Sequence, residues 1–124
     1  MEKIYHMGVE ATLEVIGGKW KPIILCKLGY GPMRSSKLKR EMPNTTQKML
    51  TQQLRELERD NIINRKVFNQ VPPKVEYSLT EEGKTLRDVL IAMSVWGEKR
   101  IKQRQVLGEN VRLVNEEHDG FLEM

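Results

Sequence analysis

Between Thr45 and Arg59 the chain reads TTQKMLTQQLRELER, a run rich in hydroxyls, amides and cations of the kind that meet nucleobase edges. Placed on a helix at about 100° per residue, Leu50, Leu54 and Leu57 gather on one side. Lys48, Gln52, Arg55 and Arg59 fall roughly opposite, with Thr51 at the margin and Glu56 and Glu58 on the flanks. Arg and Lys can pair with O6 and N7 of guanine, Gln with N6 and N7 of adenine, and Thr with base edges or the thymine methyl. Thr45, Thr46 and Gln47 stand at the helix start, where hydroxyls and free backbone amides suit a phosphate. Ordinary solvated helices carry such faces too, so the helix does not decide the matter alone.

Its neighbours sharpen the expectation. Val9, Leu13 and Ile16 recur at helical spacing before Gly17 and Gly18 end a first helix. Trp20 to Leu28 is apolar around most of its circumference, and Pro22 is tolerable because it lies in the first turn. This is the central, buried helix. Gly29 to Pro32 reads as a turn. Ser35 or Ser36 can cap a short helix through about Glu41, Pro43 interrupts it, and Asn44 or Thr45 can cap the next helix, which runs to about Asp60. Two helices joined by a short turn, the second longer and polar-faced, form a helix-turn-helix pattern.

After Asn61, IINRKVF and KVEYSL read as two strands, and the link from Asn69 to Lys74 holds two prolines that belong in a hairpin tip. Thr80 can cap a last helix with Glu81 and Glu82 in its first turn. Its apolar stripe is Leu86, Val89, Leu90, Met93, Trp96, Gly97 and Ile101, while Ile91 and Val95 lie off that stripe. A helix apolar on two sides needs two surfaces, and a second copy of the chain is an economical source of the other.

The expected architecture is mainly α with a small β-hairpin wing: a winged helix-turn-helix whose last helix offers a dimer surface. Residues 1–107 form the DNA-binding and dimerisation domain, and 108–124 an acidic tail that is either disordered or a short helix. In such a fold the second helix of the pair enters the major groove and the wing reaches adjacent backbone or minor groove. Ser35, Ser36 and Lys37 of the preceding helix, with Asn69, Gln70 and Lys74 of the wing, are the further candidate DNA contacts. Leu86, Val89, Leu90, Met93 and Trp96 are the candidate dimer contacts of the last helix.

Composition agrees. Of the 17 acids and 21 bases in 124 residues, five acids and one base follow Gly108, leaving 12 acids against 20 bases in the body. A basic body favours an anionic partner such as double-stranded DNA. The longest apolar runs fall short of a membrane span, and the cytoplasm is the expected compartment. One cysteine, Cys26, and two histidines, His6 and His118, supply neither a disulfide nor a metal site. No cofactor and no catalytic set are expected. A small-molecule effector is a further expected partner, and a pocket near Trp20 and Trp96 is a place for a flat aromatic one. A protein-interaction module is the alternative function. The Gln- and Thr-bearing cationic face weighs against it, because partner surfaces usually centre on apolar anchors.

VEATLEVIGGKWKPIIL (Val9 to Leu25), SSKLKREMPNTTQKMLTQQLRELERD (Ser35 to Asp60) and VPPKVEYSLTEEG (Val71 to Gly83) strongly resemble the HxlR-type bacterial transcription regulators, relatives of the MarR winged-helix proteins. The resemblance covers about residues 7–104. It implies a homodimer formed mainly by the first and last helices, which adds Val9 and Leu13 to the candidate dimer contacts. The implied dimer sits on a pseudo-palindromic operator, usually repressing, with a recognition helix at about Thr46 to Asp60 and a wing at about Asn64 to Leu79. Many members resemble CPVEATL at the start of the first helix, with the cysteine a thiol sensor. Met7 and Gly8 stand there in this chain, so switching through that position is excluded.

Overall fold

A computed structural model describes residues 1–114 and Phe121. Its elements are α1 (Gly8–Ile16), α2 (Trp20–Leu28), β1 (Met33–Arg34), α3 (Ser35–Glu41), α4 (Gln47–Arg59), β2 (Ile63–Phe68), β3 (Lys74–Leu79), α5 (Glu81–Lys84) and α6 (Arg87–Val106). The core joins Ile16 of α1, Ile24, Leu25 and Leu28 of α2, Leu38 of α3 and the leucines of α4 to Ile63, Tyr77 and Leu79 of the sheet.

The two glycines after α1 have separate tasks. A Cβ on Gly17 would stand 2.3 Å from the Leu13 carbonyl oxygen, and Gly18 has a φ of +93°. Together they let the chain reverse into α2 within three residues. Ahead of α1, the Glu14 carboxylate accepts from Tyr5 Oη at 2.6 Å and lies 2.9 Å from Lys3 Nζ, which ties the first residues to the helix. These partners, the tyrosine hydroxyl foremost, hold the Glu14 carboxyl below its usual range.

The sheet has three strands, not two. Met33 and Arg34 pair antiparallel with Tyr77 and Glu76, giving the order β1-β3-β2. A two-residue strand is too short to show alternation, so the sequence around Pro32 reads as turn alone. In the hairpin, Ile63 faces Leu79 and Phe68 faces Lys74, which places Asn69 to Pro73 at the tip.

Caps differ from expectation by one residue. Ser35 and Ser36 lie inside α3, whose N-cap is Arg34, with no side-chain cap bond. Thr46, rather than Asn44 or Thr45, caps α4, its hydroxyl accepting from the Met49 amide at 3.0 Å. The expected single last helix is two, α5 and α6. The buried Gly83 sits so close to the β2 entrance that a Cβ there would stand 2.2 Å from the Ile62 carbonyl oxygen.

Beyond α6 the chain turns at Gly108 (φ +86°) and folds back on the helix. Arg104 binds Glu109 at 2.9 Å, and Gln105 Nε2 donates to the Val111 carbonyl at 3.0 Å. Residues 109–114 are not helical. Phe121 is 0% exposed and belongs to the core, and its carbonyl accepts from Arg87 Nε at 2.9 Å. The C-terminal segment therefore supplies core, which its acidic composition does not suggest. Glu116, Glu117, Asp119 and Glu123 lie outside the described residues.

Candidate nucleic-acid interface

α4 is positioned from below by Leu50, Leu54 and Leu57, all buried, and from its C-terminus by a left-handed cap. Asn61 adopts φ 59°, its amide donates to Glu58 and the Ile62 amide donates to Leu57. These are the paired bonds of a Schellman motif, with asparagine in the place glycine usually takes. β2 starts two residues later, so the helix and the wing share one turn.

The outward face of α4 carries Gln47, Lys48, Gln52, Arg55 and Arg59, all exposed, and Thr51, half-buried. With Glu56 they line a shallow groove along the helix. Gln47 Nε2 donates to Thr51 Oγ1 at 3.1 Å, aligning two polar groups near the helix start. Glu56 is turned to the side, toward Lys21 of α2 at 3.2 Å.

Two threonines differ in what they can do. Thr45 is 3% exposed and its hydroxyl lacks a hydrogen-bond partner among the described residues, so it faces inward and is not available to a phosphate. Thr46 is exposed, although its hydroxyl already serves the cap.

On α3, Ser36 and Lys37 are exposed and Ser35 is half-buried. At the wing tip, Asn69 and Gln70 are exposed. Lys74 is engaged within the hairpin, 3.4 Å from Glu76 and 4.3 Å from the centre of the Phe68 ring. The exposed polar run of the wing is Asn64, Arg65 and Lys66 on β2, which sequence reasoning did not single out. The signal was present: three consecutive polar residues do not fit a strand with one buried face, but they fit an edge strand, and β2 is one.

The proposed dimer residues separate into two groups. Val9 and Leu13 of α1 and Val89, Met93 and Trp96 of α6 are exposed large hydrophobics, Trp96 at 69%. Leu90 is 2% exposed and belongs to the core of its own chain, while Leu86 packs against that core. Leu90 is thus corrected from surface to core. At 100° per residue it lies one helical step from Val89, across the boundary between the two faces.

The two tryptophans differ in their surroundings. Trp20 packs against the core and Trp96 is exposed. A cavity of about 330 Å³ lies instead between α2 and α6, lined by Ile23, Cys26, Met93 and Ile101 among others, and by neither tryptophan. Among the described residues there is no group of three His, Cys, Asp or Glu side chains able to hold a metal ion, and no helix long and apolar enough to cross a membrane.

Residues 15–105 match the family of HxlR-like helix-turn-helix proteins. The chain belongs to that family. It is 57% identical over 115 residues to the uncharacterized HTH-type transcriptional regulator YtcD of Bacillus subtilis, covering 93% of this chain and 90% of that relative. Among solved structures it is similar to the redox regulator HypR in its reduced form, with a TM-score of 0.74 at 52% identity, covering 82% of this chain and 98% of that one. A protein of Enterococcus faecalis V583 assigned to the MarR family of transcriptional regulators gives a TM-score of 0.70 at 37% identity, covering 85% of this chain and 96% of that one. The HxlR-type chain described here is accordingly a winged helix-turn-helix protein of MarR-like fold, in a family of transcription regulators rather than enzymes. α3 and α4 are its helix-turn-helix, and β2 and β3 its wing.

Proposed function

We propose that this HxlR-like protein regulates transcription by binding a pseudo-palindromic operator as a homodimer, with α4 in the major groove and the wing on adjacent backbone or minor groove. The observation that carries this reading is the outward face of α4. Lys48, Gln52, Arg55 and Arg59 stand exposed there on a helix whose opposite side is fixed by buried leucines. Cations and amides on a rigid helix are the groups that read guanine and adenine in the major groove. Lys37 of α3 and Asn64, Arg65 and Lys66 of the wing support it as exposed polar and cationic groups of the kind that bind phosphates.

Dimerisation is supported by the exposed apolar residues of α1 and α6, which a single chain leaves in water. A dimer seated on promoter DNA obstructs transcription by occupying it, which makes repression the expected outcome. Thiol sensing through the start of α1 has no nucleophile in this chain, because Met7 caps that helix.

The test is fluorescence anisotropy on DNA from upstream of the protein's own gene, beside a random duplex, across a salt series. Tighter binding to the upstream DNA, with log affinity falling as log salt rises, supports the reading. Arg55→Ala should then cost about 1 to 3 kcal/mol on the operator and little on random DNA. Absence of salt-dependent binding to either duplex overturns it.

A further inference from the structure

Lys21, the second residue of α2, is only 6% exposed. Its ammonium lies 3.2 Å from Oε1 of Glu56 on α4, and Oε2 of the same carboxylate accepts from Gln53 Nε2 at 3.3 Å. Both oxygens of Glu56 are therefore engaged, at the edge of the groove that Lys48 and Arg55 also line. Lys21 is buried while the Glu56 side chain keeps 28% exposure, and such a half-buried ion pair is a weak source of stability, because desolvation of the lysine offsets much of the attraction. That points to a contribution other than stability.

The position of Glu56 suggests which. It follows Gln52 by four residues, so the two side chains are neighbours on the helix surface. It is also the acid among the side chains lining the groove along the cationic face. A carboxylate free to swing over that margin would stand against DNA phosphates and draw Arg55 or Arg59 away from them. Held by Lys21, it does neither.

Resting on the DNA-binding reading above, we infer that Lys21 is a positioning residue for DNA recognition: its ammonium holds the Glu56 carboxylate against α2 and so keeps the reading face of α4 cationic. The contact reaches from the helix beside α6 to the helix that meets DNA, and it acts through charge rather than through any contact of Lys21 with a base.

The experiment measures affinity of the full chain for a labelled random-sequence duplex at low salt. Lys21→Met should weaken binding about three- to ten-fold, since it frees a negative charge at the face. Lys84→Met removes the same charge from the exposed Lys84–Glu81 pair on α5 and should weaken binding less than about two-fold, because an exposed charge away from the interface is screened. Adding Glu56→Gln to Lys21→Met should restore affinity to within about two-fold of the wild type. Glu56→Gln alone should bind at least as tightly as the wild type. Equal effects of Lys21→Met and Lys84→Met, failure of rescue, or weaker binding by Glu56→Gln would each overturn the inference and leave the pair as a brace for α4. If Lys21→Met does not fold, Glu56→Gln alone decides by the same criterion. A wild-type chain that binds no duplex overturns the DNA-binding reading itself, a result distinct from a binder indifferent to Lys21.

Discussion

The Thr80 hydroxyl lies 2.8 Å from the Asn61 carbonyl and 3.0 Å from that of Ile62, and it accepts the Gly83 amide at 2.9 Å. One side chain after the wing thereby fastens the turn that follows α4 and caps α5. Thr80→Val keeps the shape and deletes the hydroxyl, leaving buried polar groups unserved. It should lower stability by about 1 to 3 kcal/mol. Thr80→Ser restores the donor and should recover most of that loss. Urea denaturation midpoints at equal slope decide between them.

Gly83→Ala tests the same junction by volume. With a Cβ 2.2 Å from the Ile62 oxygen, backbone must move against backbone. The expected cost is about 2 kcal/mol or more, read as a fall in melting temperature. A neutral outcome would show that α5 can shift without disturbing β2.

How much of this was legible in the sequence depends on chain length per element. α4 announced itself through Leu50, Leu54 and Leu57, because three turns give periodicity room to show. β1 did not, since two residues have no period, and only Tyr77 and Glu76 on a distant strand make Met33 and Arg34 a strand at all. Thr45 and Thr46 are alike in type and adjacent, so only the three-dimensional path of the α3–α4 turn decides which faces inward. The cationic face itself was fully readable. Its dependence on Lys21 was not, because the partners are far apart in sequence and a lysine on an apolar helix gives no hint of where it ends.

Leu90 and Trp96 should respond oppositely to substitution. Leu90→Ala empties a core site and should cost about 2 to 5 kcal/mol. Trp96→Ser changes an exposed side chain, so a single chain should be nearly unaffected. In a dimer formed through α1 and α6, however, Trp96→Ser should raise the dissociation constant. Analytical ultracentrifugation beside thermal melts separates the two, and an unchanged sedimentation profile for Trp96→Ser would place any dimer contact elsewhere.

Phe121 gives the C-terminal segment a measurable role. Phe121→Ala should destabilise the protein by about 3 to 5 kcal/mol, whereas an unanchored tail would tolerate the change. Hydrogen exchange should show the loss first at the start of α6, where Arg87 Nε donates to the Phe121 carbonyl.

Lys37→Ala should lower affinity by a similar factor on operator and random DNA and reduce the slope of log affinity against log salt by about one. A loss confined to the operator would instead assign Lys37 a role in reading sequence.

The shared turn between α4 and β2 has a consequence for how affinity could be adjusted. Asn61 in its left-handed conformation, the Glu58 and Leu57 carbonyls that the Asn61 and Ile62 amides satisfy, and the Thr80 hydroxyl on the Asn61 and Ile62 carbonyls leave helix and wing little freedom relative to each other. A reader preorganised in this way spends little entropy on docking, so its heat-capacity change on binding should reflect surface buried at the interface rather than folding. The same stiffness leaves a signal little to alter inside the reader. In a dimer formed through α1 and α6, the distance between two such readers would become the variable through which occupancy of DNA is tuned.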